Sequence, residues 1–271
     1  MADQKICLTI AGLDPSGGAG IIADIKTFSA FGCFAAAAVS SVTFQNTTGV
    51  FGAVHQTADA LRGQVDAVMD DLDVAAVKTG MLPTRETIET TAAIAVERGI
   101  EILVVDPVVR STSGYDLIDD EALKVLTEKL FPLSLVVTPN KQEAERIAGM
   151  KIETTADIET AARLMLSMGA RNVLIKGGHF SASRATDHLF GNEGTRESYS
   201  GAFIDTTATH GTGCTLAAAI TANLALGHDL ARSVAAAKEF VTEAIRTAQP
   251  IGRGHSPINI LSAAQVPPFS K

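Results

Sequence analysis

The sequence lacks long apolar runs, basic clusters and any regular arrangement of cysteines. Its longest apolar stretches, 34–39 and 216–220, are far shorter than the ~20 residues that a membrane-spanning helix needs. With 22 basic and 30 acidic residues the formal net charge is −8, which argues against nucleic acid or an anionic membrane as a general partner. Three widely separated cysteines give neither a disulfide framework nor a metal-binding spacing. Because no signal-peptide pattern precedes the first strand-like segment, we expect a cytoplasmic protein.

Segments of strand and helix character alternate along the chain. Apolar residues make up 46% of the 271 residues and charged residues 19%, which is typical of a compact protein without extensive disorder. The alternation predicts an α/β fold with a doubly wound, mostly parallel central sheet and helices on both faces, in a single domain spanning residues 1–271. The predicted strands are 6–11, 35–44, 75–79, 102–106, 135–138 and 173–175, the predicted helices include 58–70, 84–98, 119–130, 140–148, 155–168 and 231–247, and a hairpin at 184–190 and 197–200 extends the sheet.

The stretch 205–217, DTTATHGTGCTLA, joins a Gly-x-Gly turn to a small, apolar segment at 216–226 that is typical of a buried helix. The first amides of a helix have no intrahelical partner and its dipole is positive at that end, so the turn is suited to hold an anion. Cys214 lies at this opening turn, where a thiol is biased towards thiolate and is able to take a proton. The alternative is that Cys214 is a small buried residue, as we expect for Cys7 and Cys33.

Polar residues stand at the ends of several predicted strands. Because the carboxyl ends of parallel strands meet at one edge of a sheet, we expect these residues to converge there with the glycine-rich turns at 12–20 and 211–213. The strand-end residues are Gln45, Thr79, Asp106, Thr138, Asn140 and Lys176.

Each of these polar groups has a chemical interpretation and a structural one. The Gln45 amide offers a donor and an acceptor, as an aminopyrimidine edge requires, or it caps loop backbone. Asp106, Asn140 and Glu143 offer the oxygen ligands that magnesium prefers, while Lys176 suits a nucleotide phosphate. Alternatively, Asp106 is a turn residue before proline and Glu143 a first-turn helix acid. The 12–20 turn matches neither a dinucleotide fingerprint nor a Walker loop, and a tight turn alone would need its glycines.

Eight motifs spread over nearly the whole chain resemble those of one enzyme family. They are AGLDPSGGAGIIADIKTF from Ala11, VTFQNTTGV from Val42, KTGML from Lys78, VDPV from Val105, TPNKQEAE from Thr138, KGGH from Lys176, THGTGC from Thr209 and GRGHSPIN from Gly252. Together they identify the chain as a member of the ribokinase superfamily, similar to the hydroxymethylpyrimidine and hydroxymethylpyrimidine-phosphate kinases of thiamine synthesis. The resemblance implies a ribokinase-like fold, with ATP and Mg²⁺ as cofactors.

The resemblance also implies a role for each matching residue. Cys214 is implied to be the general base, at the position where most sugar kinases of the superfamily carry an aspartate. The backbone amides of Gly211, Thr212 and Gly213 are implied to form an anion hole. The substrate set comprises Gln45, Gly12, Asp24, Met81 and Val108; the nucleotide set comprises Thr138, Asn140, Lys176, Thr212 and Lys238; and the metal set comprises Asp106 and Glu143.

The implied reaction is ATP-dependent phosphorylation of 4-amino-5-hydroxymethyl-2-methylpyrimidine, followed by phosphorylation of its monophosphate to the diphosphate. Two alternatives remain: a pyridoxal or pyridoxamine kinase of the same superfamily, and a non-catalytic pyrimidine-binding protein. We expect a homodimer that binds the small-molecule pyrimidine and ATP, but neither nucleic acid nor a membrane. The polar or glycine-rich segments 44–52 and 177–183 are candidate lids.

Overall fold

The computed structural model describes residues 4–111, 114–177 and 184–263, and their strands form one nine-stranded sheet. The strands are β1 (Ile6–Leu13), β2 (Phe34–Asn46), β3 (Gly49–His55), β4 (Val74–Thr79), β5 (Leu103–Val105), β6 (Val136–Val137), β7 (Asn172–Ile175), β8 (Arg184–Gly191) and β9 (Arg196–Ala202). The helices are α1 (Gly20–Ala30), α2 (Ala58–Met69), α3 (Arg85–Glu97), α4 (Asp120–Lys129), α5 (Lys141–Ala148), α6 (Thr155–Ser167), α7 (Thr212–Ala225), α8 (Leu230–Arg246) and α9 (Ile260–Ala263), with a 3₁₀ turn at Phe131–Leu133.

The order of the strands places a topological switch point between β1 and β4. The sheet runs β3-β2-β1-β4-β5-β6-β7-β8-β9, and neighbours from β2 to β7 are parallel. From β1 the chain moves outwards to β2 and then returns to the other side of β1 as β4. The loops after β1 and β4 therefore diverge at one edge, where open parallel sheets form their binding crevice. The predicted mostly parallel α/β sheet is confirmed.

Side chains that alternate along each central strand divide the core into two layers. In β5, Leu103 and Val105 pack on one face with α2 to α6, whereas Val104 packs on the other face with α7 and α8. In β7, Val173 and Leu174 divide in the same way. Because consecutive strand residues point to opposite faces, continuous apolar strands bury both faces of the sheet beneath helices.

Helix α7 lies in the centre of the second layer and begins earlier than the sequence indicated. Every residue from Thr215 to Ala225 is buried, which the run of alanines permits because the helix can approach the sheet closely. The first helical residue is Thr212 rather than a residue near 216, and Gly211 is the N-cap with φ 86°. Cys214 is consequently the third residue of the helix.

The antiparallel strands at the two edges of the sheet gave different outcomes. The hairpin of β8 and β9 is confirmed as an extension of the sheet. The expectation of a loop at 44–52 is wrong, because β2 continues to Asn46 and pairs antiparallel with β3. The other candidate lid at 177–183 lies outside the described residues except for Gly177. Across the described part of the chain, none of the helices is long and apolar enough to cross a membrane.

Candidate active site

A cavity of about 1230 Å³ opens at the carboxyl edge of the sheet, above the β1–β4 switch point. This volume exceeds the ~300–1000 Å³ of a typical small-molecule site, so it is large enough for two ligands side by side. The predicted convergence of strand-end residues is confirmed for four of them, which are Gln45, Asp106, Asn140 and Lys176. The predicted residues that line the cavity are Gly12, Gln45, Met81, Asp106, Val108, Asn140, Glu143, Lys176, Gly211, Thr212, Gly213, Cys214 and Lys238.

The start of α7 forms one wall of this cavity. No side chain within the described residues caps this helix, which suits its first turn to an anion, and the Thr212 amide donates to the Thr209 carbonyl at 3.3 Å in this structure. The left-handed backbone at Gly211 makes the turn possible, and a β-carbon there would lie 1.9 Å from the carbonyl oxygen of Gly18. Gly213 is less constrained, because its β-carbon would lie 3.2 Å from Nζ at the end of the Lys176 side chain. The glycines therefore allow two loops and a lysine to close around the amides.

The thiol of Cys214 is less acidic in this structure than the sequence indicated. Burial, with a further contribution from Asp24 and Asp106, raises the pKa of Cys214 to about 11, although Lys78 opposes the shift. The expectation that the helix terminus biases this thiol towards thiolate is therefore wrong. The physical reason is that desolvation of the thiolate outweighs the nearby positive charge.

Lys78, which the sequence reasoning did not single out, forms a buried ion pair below the cavity. Its Nζ lies 2.9 Å and 2.8 Å from the two carboxylate oxygens of Asp24, and Thr9 Oγ1 donates to Asp24 Oδ2 at 2.6 Å. Both charged side chains have 0% exposure. Asp24 was expected beside the substrate, but it lies behind Lys78, which is the residue that lines the cavity. Asp24 thus acts on the site only by holding that lysine.

Lys176 is held by carboxylates at the nucleotide side of the cavity. Its Nζ is 2.9 Å from Asp106 Oδ1 and 4.0 Å from Glu143 Oε2. Burial alone would raise the pKa of Asp106, but Lys176 and Lys78 hold this pKa below its usual value. Thr138 was predicted to serve the nucleotide, yet its fully buried hydroxyl donates to Asp106 Oδ1 at 3.0 Å. Thr138 therefore orients Asp106 from behind.

Asn140 and Glu143 form a reciprocal cap at the start of α5. Asn140 Oδ1 accepts from the Glu143 amide at 2.9 Å, and Glu143 Oε2 accepts from the Asn140 amide at 2.7 Å. Burial raises the pKa of Glu143 to about 7, since Asp106 adds to the shift and Lys176 only partly offsets it. The structural interpretation of Glu143 as a first-turn acid is thus correct, and its side chain also faces the cavity.

The carboxylates of Asp106 and Glu143 fit a magnesium ion that shares its coordination with water and phosphate. Magnesium is usually bound through one or two carboxylates plus substrate phosphates rather than by a complete protein cage. Both carboxylates line the cavity and approach the same ammonium group. In the described portion of the chain no group of three or more His, Cys, Asp or Glu side chains is gathered to hold a metal ion. The donor set therefore suits a phosphate-associated ion.

A third lysine–aspartate pair lies farther along the cavity. Lys238 Nζ is 2.8 Å from Asp187 Oδ2, and the Gly177 amide donates to Asp187 Oδ1 at 3.1 Å. Lys78, Lys176 and Lys238 are thus each paired with an aspartate. An incoming polyphosphate would compete with these aspartates for Lys176 and Lys238.

The opposite end of the cavity carries Gln45 and two residues that the sequence reasoning missed. His210 Nε2 lies 2.7 Å from Asp14 Oδ2 and 3.4 Å from Gln45 Nε2. Asp14 and His210 are separated by 196 positions, so no local pattern links them. Met81 packs here as well, where a β-carbon on Gly12 would lie 3.0 Å from its sulfur.

Comparison with known proteins shows which family this chain resembles. Residues 14–259 match a family described as phosphomethylpyrimidine kinase. A hydroxymethylpyrimidine/phosphomethylpyrimidine kinase of Bacillus subtilis (strain 168) is 45% identical over 253 residues, which cover 93% of each chain. The thiamine biosynthesis bifunctional protein ThiED of Geobacter sulfurreducens is 46% identical over 259 residues, which cover 95% of this chain and 52% of that protein. This chain therefore spans about half the length of the bifunctional relative.

Solved structures support the same fold. The ADP complex of Bacillus subtilis pyridoxal kinase has a TM-score of 0.88 to this chain at 37% identity, covering 97% of this chain and 99% of that one. The predicted ribokinase-like architecture is confirmed by this similarity.

Proposed function

Because the chain belongs to the phosphomethylpyrimidine kinase family, we propose that it phosphorylates the hydroxymethyl group of 4-amino-5-hydroxymethyl-2-methylpyrimidine with ATP. It then phosphorylates the monophosphate to the diphosphate, as in thiamine synthesis. One observation carries this proposal beyond the family: a single cavity contains both an amide-bearing end at Gln45 and the uncapped start of α7. The reacting hydroxyl and the transferred phosphoryl group can therefore meet between them. We assign the whole of residues 1–271 to this one kinase domain, in the cytoplasm.

The chain's own residues supply positioning and charge for the transfer. Gln45, with Gly12, Met81 and Val108 around it, binds the pyrimidine. The amides at 211–213 donate hydrogen bonds to the negatively charged oxygens of the transferred phosphoryl group, and preorganised backbone donors do so without reorganisation. The nucleotide side comprises Asn140, Lys176, Thr212 and Lys238, with Thr138 acting through Asp106.

Asp106 and Glu143 would hold Mg²⁺, which neutralises phosphate charge when bound. Lys176 is already shared between these carboxylates. Its ammonium group is therefore placed to pass from Asp106 to a phosphate oxygen when a nucleotide arrives. This exchange keeps the buried lysine paired throughout binding.

Cys214 is proposed as the general base for the first phosphorylation only. The alcohol must lose a proton, whereas the monophosphate is already largely ionised at neutral pH because its second pKa is about 6. Replacing Cys214 with Ala should therefore lower monophosphate formation roughly 10²- to 10⁴-fold and diphosphate formation far less. The measurement is single-turnover kinetics with each substrate separately, and Cys33→Ala is the control. Equal losses in both reactions would remove the base assignment.

The deciding experiment for the overall activity is mass spectrometry of the products formed from ATP, Mg²⁺ and the pyrimidine alcohol. The proposal requires both the monophosphate and the diphosphate. Absence of both products with a folded protein would contradict it.

Pyridoxal is the second candidate substrate, because the structural similarity to a pyridoxal kinase is high. A competition assay with equal concentrations of pyridoxal and the pyrimidine separates the two possibilities. Strong preference for pyridoxal would replace the first assignment. A non-catalytic role would instead be indicated if wild type bound the pyrimidine without turnover and Cys214→Ala bound equally well.

A homodimer is also proposed, and light scattering coupled to gel filtration would measure it. A mass near the 28.2 kDa of one chain would contradict this assignment.

A further inference from the structure

His210 lies between the substrate end of the cavity and the phosphate-binding turn. Its Nε2 is 2.7 Å from Asp14 Oδ2, and the two side chains are almost completely buried. Gln45 Nε2 is placed 3.4 Å from the same imidazole nitrogen. The next residue, Gly211, is the N-cap of α7. The His210 imidazole therefore contacts the Gln45 amide, which is proposed to bind the substrate, and adjoins the proposed anion hole.

The hydrogen bonds of Asp14 determine where the imidazole carries a proton. Asp14 Oδ1 accepts from the amide and hydroxyl of Ser16, and Oδ2 accepts from the Ala19 amide at 2.9 Å. Burial favours the protonated acid, but the bonds from His210 and Ser16 outweigh it and lower the pKa of Asp14. Asp14 is thus an acceptor-only carboxylate at neutral pH. His210 Nε2, at 2.7 Å, must be the donor.

The same reasoning fixes the amide of Gln45. Thr43 Oγ1 has a single proton, and the carbonyl oxygen of Leu13, 2.9 Å away, can only accept it. Thr43 Oγ1 therefore has only its lone pairs to offer Gln45, and it acts as an acceptor. The end of the Gln45 amide that lies 3.2 Å from Thr43 Oγ1 must then be the NH₂ group. The single proton of His210 Nε2 is directed mainly at Asp14, 2.7 Å away, and the Gln45 side chain at 3.4 Å takes the longer branch of a shared hydrogen bond. An NH₂ group on that side would instead set two donors against each other. Since the oxygen and nitrogen of an amide are assigned from such networks, the Gln45 oxygen belongs on the His210 side.

We propose that His210, held by Asp14, is a positioning residue that orients the Gln45 amide and thereby sets which way round the pyrimidine binds. This inference rests on the proposed function. The amide oxygen accepts from the 4-amino group, and the amide NH₂ donates to the adjacent ring nitrogen. The amino group then lies on the His210 side. The hydroxymethyl group is its neighbour on the ring at C5, so it is directed towards the turn that begins at Gly211.

The imidazole is immobilised on the sides away from the cavity. The His210 amide donates to the Ser256 carbonyl at 3.2 Å, and the Ile258 amide donates to the His210 carbonyl at 3.3 Å. A β-carbon on Gly18 would lie 2.4 Å from His210 Cδ2, so the ring packs directly on that backbone. A fixed ring is what a positioning role needs, because it transmits the orientation of Asp14 to the amide.

The orientation also bears on substrate choice. An aminopyrimidine presents an amino donor next to a ring-nitrogen acceptor and satisfies both ends of the amide at once. Pyridoxal has no amino group beside a ring nitrogen, and its adjacent hydroxyl donor and aldehyde acceptor are hydrogen-bonded to each other, so they match the amide less well. A site with buried polar groups discriminates against a ligand that leaves one of them unpaired.

The test uses two substitutions at the same position in the full chain. His210→Phe keeps the ring but removes the donor, whereas His210→Gln retains an N–H near the position of Nε2. By calorimetry, we expect His210→Phe to raise the Kd for the pyrimidine roughly 10- to 100-fold and His210→Gln to recover most of the loss. The Kd for ATP should change little in either variant, and the preference for the pyrimidine over pyridoxal should fall in His210→Phe. Equal weakening by both substitutions, or a parallel loss of ATP affinity, would reduce His210 to a structural role.

A spectroscopic measurement decides the hydrogen-bond arrangement even if the substrate assignment fails. In protein labelled with ¹⁵N-histidine at neutral pH, His210 Nε2 should show a directly bonded proton, and this signal should be absent from His210→Gln. An Nε2 without a proton would overturn the inference. If wild type binds no pyrimidine but the proton is present, the proposed function fails, whereas the orientation of Gln45 stands.

Discussion

Removing the ammonium group of Lys78 should leave a buried carboxylate without a counter-ion. Lys78 and Asp24 both have 0% exposure and are joined by two contacts of 2.8 Å and 2.9 Å. In the intact chain, burial would lower the pKa of Lys78, but Asp24 outweighs it and keeps the lysine charged. The substitution Lys78→Met fills a similar volume and removes only the charge and its hydrogen bonds.

The expected loss is about 3–5 kcal/mol in the free energy of unfolding, since breaking one side of a buried pair strands the other charge. Two charge-assisted hydrogen bonds at ~1.5–3 kcal/mol each give about 3–6 kcal/mol, which overlaps this range. For a chain of this size, this corresponds to a fall in Tm of roughly 10 °C. The double variant Lys78→Met/Asp24→Asn removes the stranded charge and keeps an acceptor for Thr9, so it should recover most of the loss.

The dependence on pH distinguishes a stranded charge from poor packing. Even beside Lys78, burial raises the pKa of Asp24, and without the lysine this shift must increase. A carboxyl group whose pKa is higher in the folded state binds more protons there, so stability increases as pH falls towards the unfolded pKa near 4. As the pH is lowered from 8 to 5, the free energy of unfolding of Lys78→Met should increase relative to that of wild type by up to about 1.4 kcal/mol per pH unit.

Thermal and urea unfolding of wild type, the single variant and the double variant at pH 5, 6.5 and 8 would measure these differences. A loss below about 1 kcal/mol in the single variant would refute the reasoning. So would a loss of the expected size that is independent of pH or that the double variant fails to relieve.

Three further predictions concern the cavity walls. Gly213→Ala should keep the fold but raise the KM for ATP, because the added methyl group would lie 3.2 Å from Lys176 Nζ. The control is Gly63→Ala, where the methyl group enters open space within α2 and should only stabilise the chain by ~0.5–1 kcal/mol. Thermal unfolding and ATP titration measure both, and an unchanged KM would contradict the expectation. Glu143→Gln should stabilise the ligand-free protein by about 1–3 kcal/mol at pH 8 and much less at pH 5, since the pKa of Glu143 is raised to about 7 and its ionisation opposes folding as pH rises. Equal effects at the two pH values would exclude this. Finally, kcat/KM for the alcohol should increase with pH from 7 to 9, because the pKa of the Cys214 thiol is about 11, whereas kcat/KM for the monophosphate should not; parallel profiles would contradict a thiolate base.

The sequence was sufficient for the central part of the fold because local pattern and tertiary burial agree there. In apolar strands such as β5, which is followed by Asp106-Pro107, the apolar sequence predicts a buried strand and the structure buries it. β3 was missed because its glycines and half-exposed residues carry no clear alternation. Its extended backbone depends on pairing with the projecting end of β2.

The site was predictable where a residue's role follows from its place at a strand end. Gln45 and Lys176 were found in this way. Lys78 was not, because a lysine inside an apolar strand is explained only by Asp24, 54 positions earlier in the chain. Long-range partners also explain the error in the thiol pKa. The charge at the helix start is visible in sequence, whereas the burial that opposes it is not.

The segment 251–258 has a consequence for the order in which the site is completed. The His255 amide donates to the carbonyl of Thr47 at 2.8 Å, in the turn after Gln45, and the backbone of Ser256 holds His210. During synthesis, the sheet and the first turn of α7 leave the ribosome before this segment does. The nascent chain can therefore form most of its core while the turn at Thr47 and the backbone of His210 still lack their contacts with this segment. Phosphoryl transfer is thus among the last properties that a growing chain acquires and among the first that proteolysis between α8 and α9 would abolish.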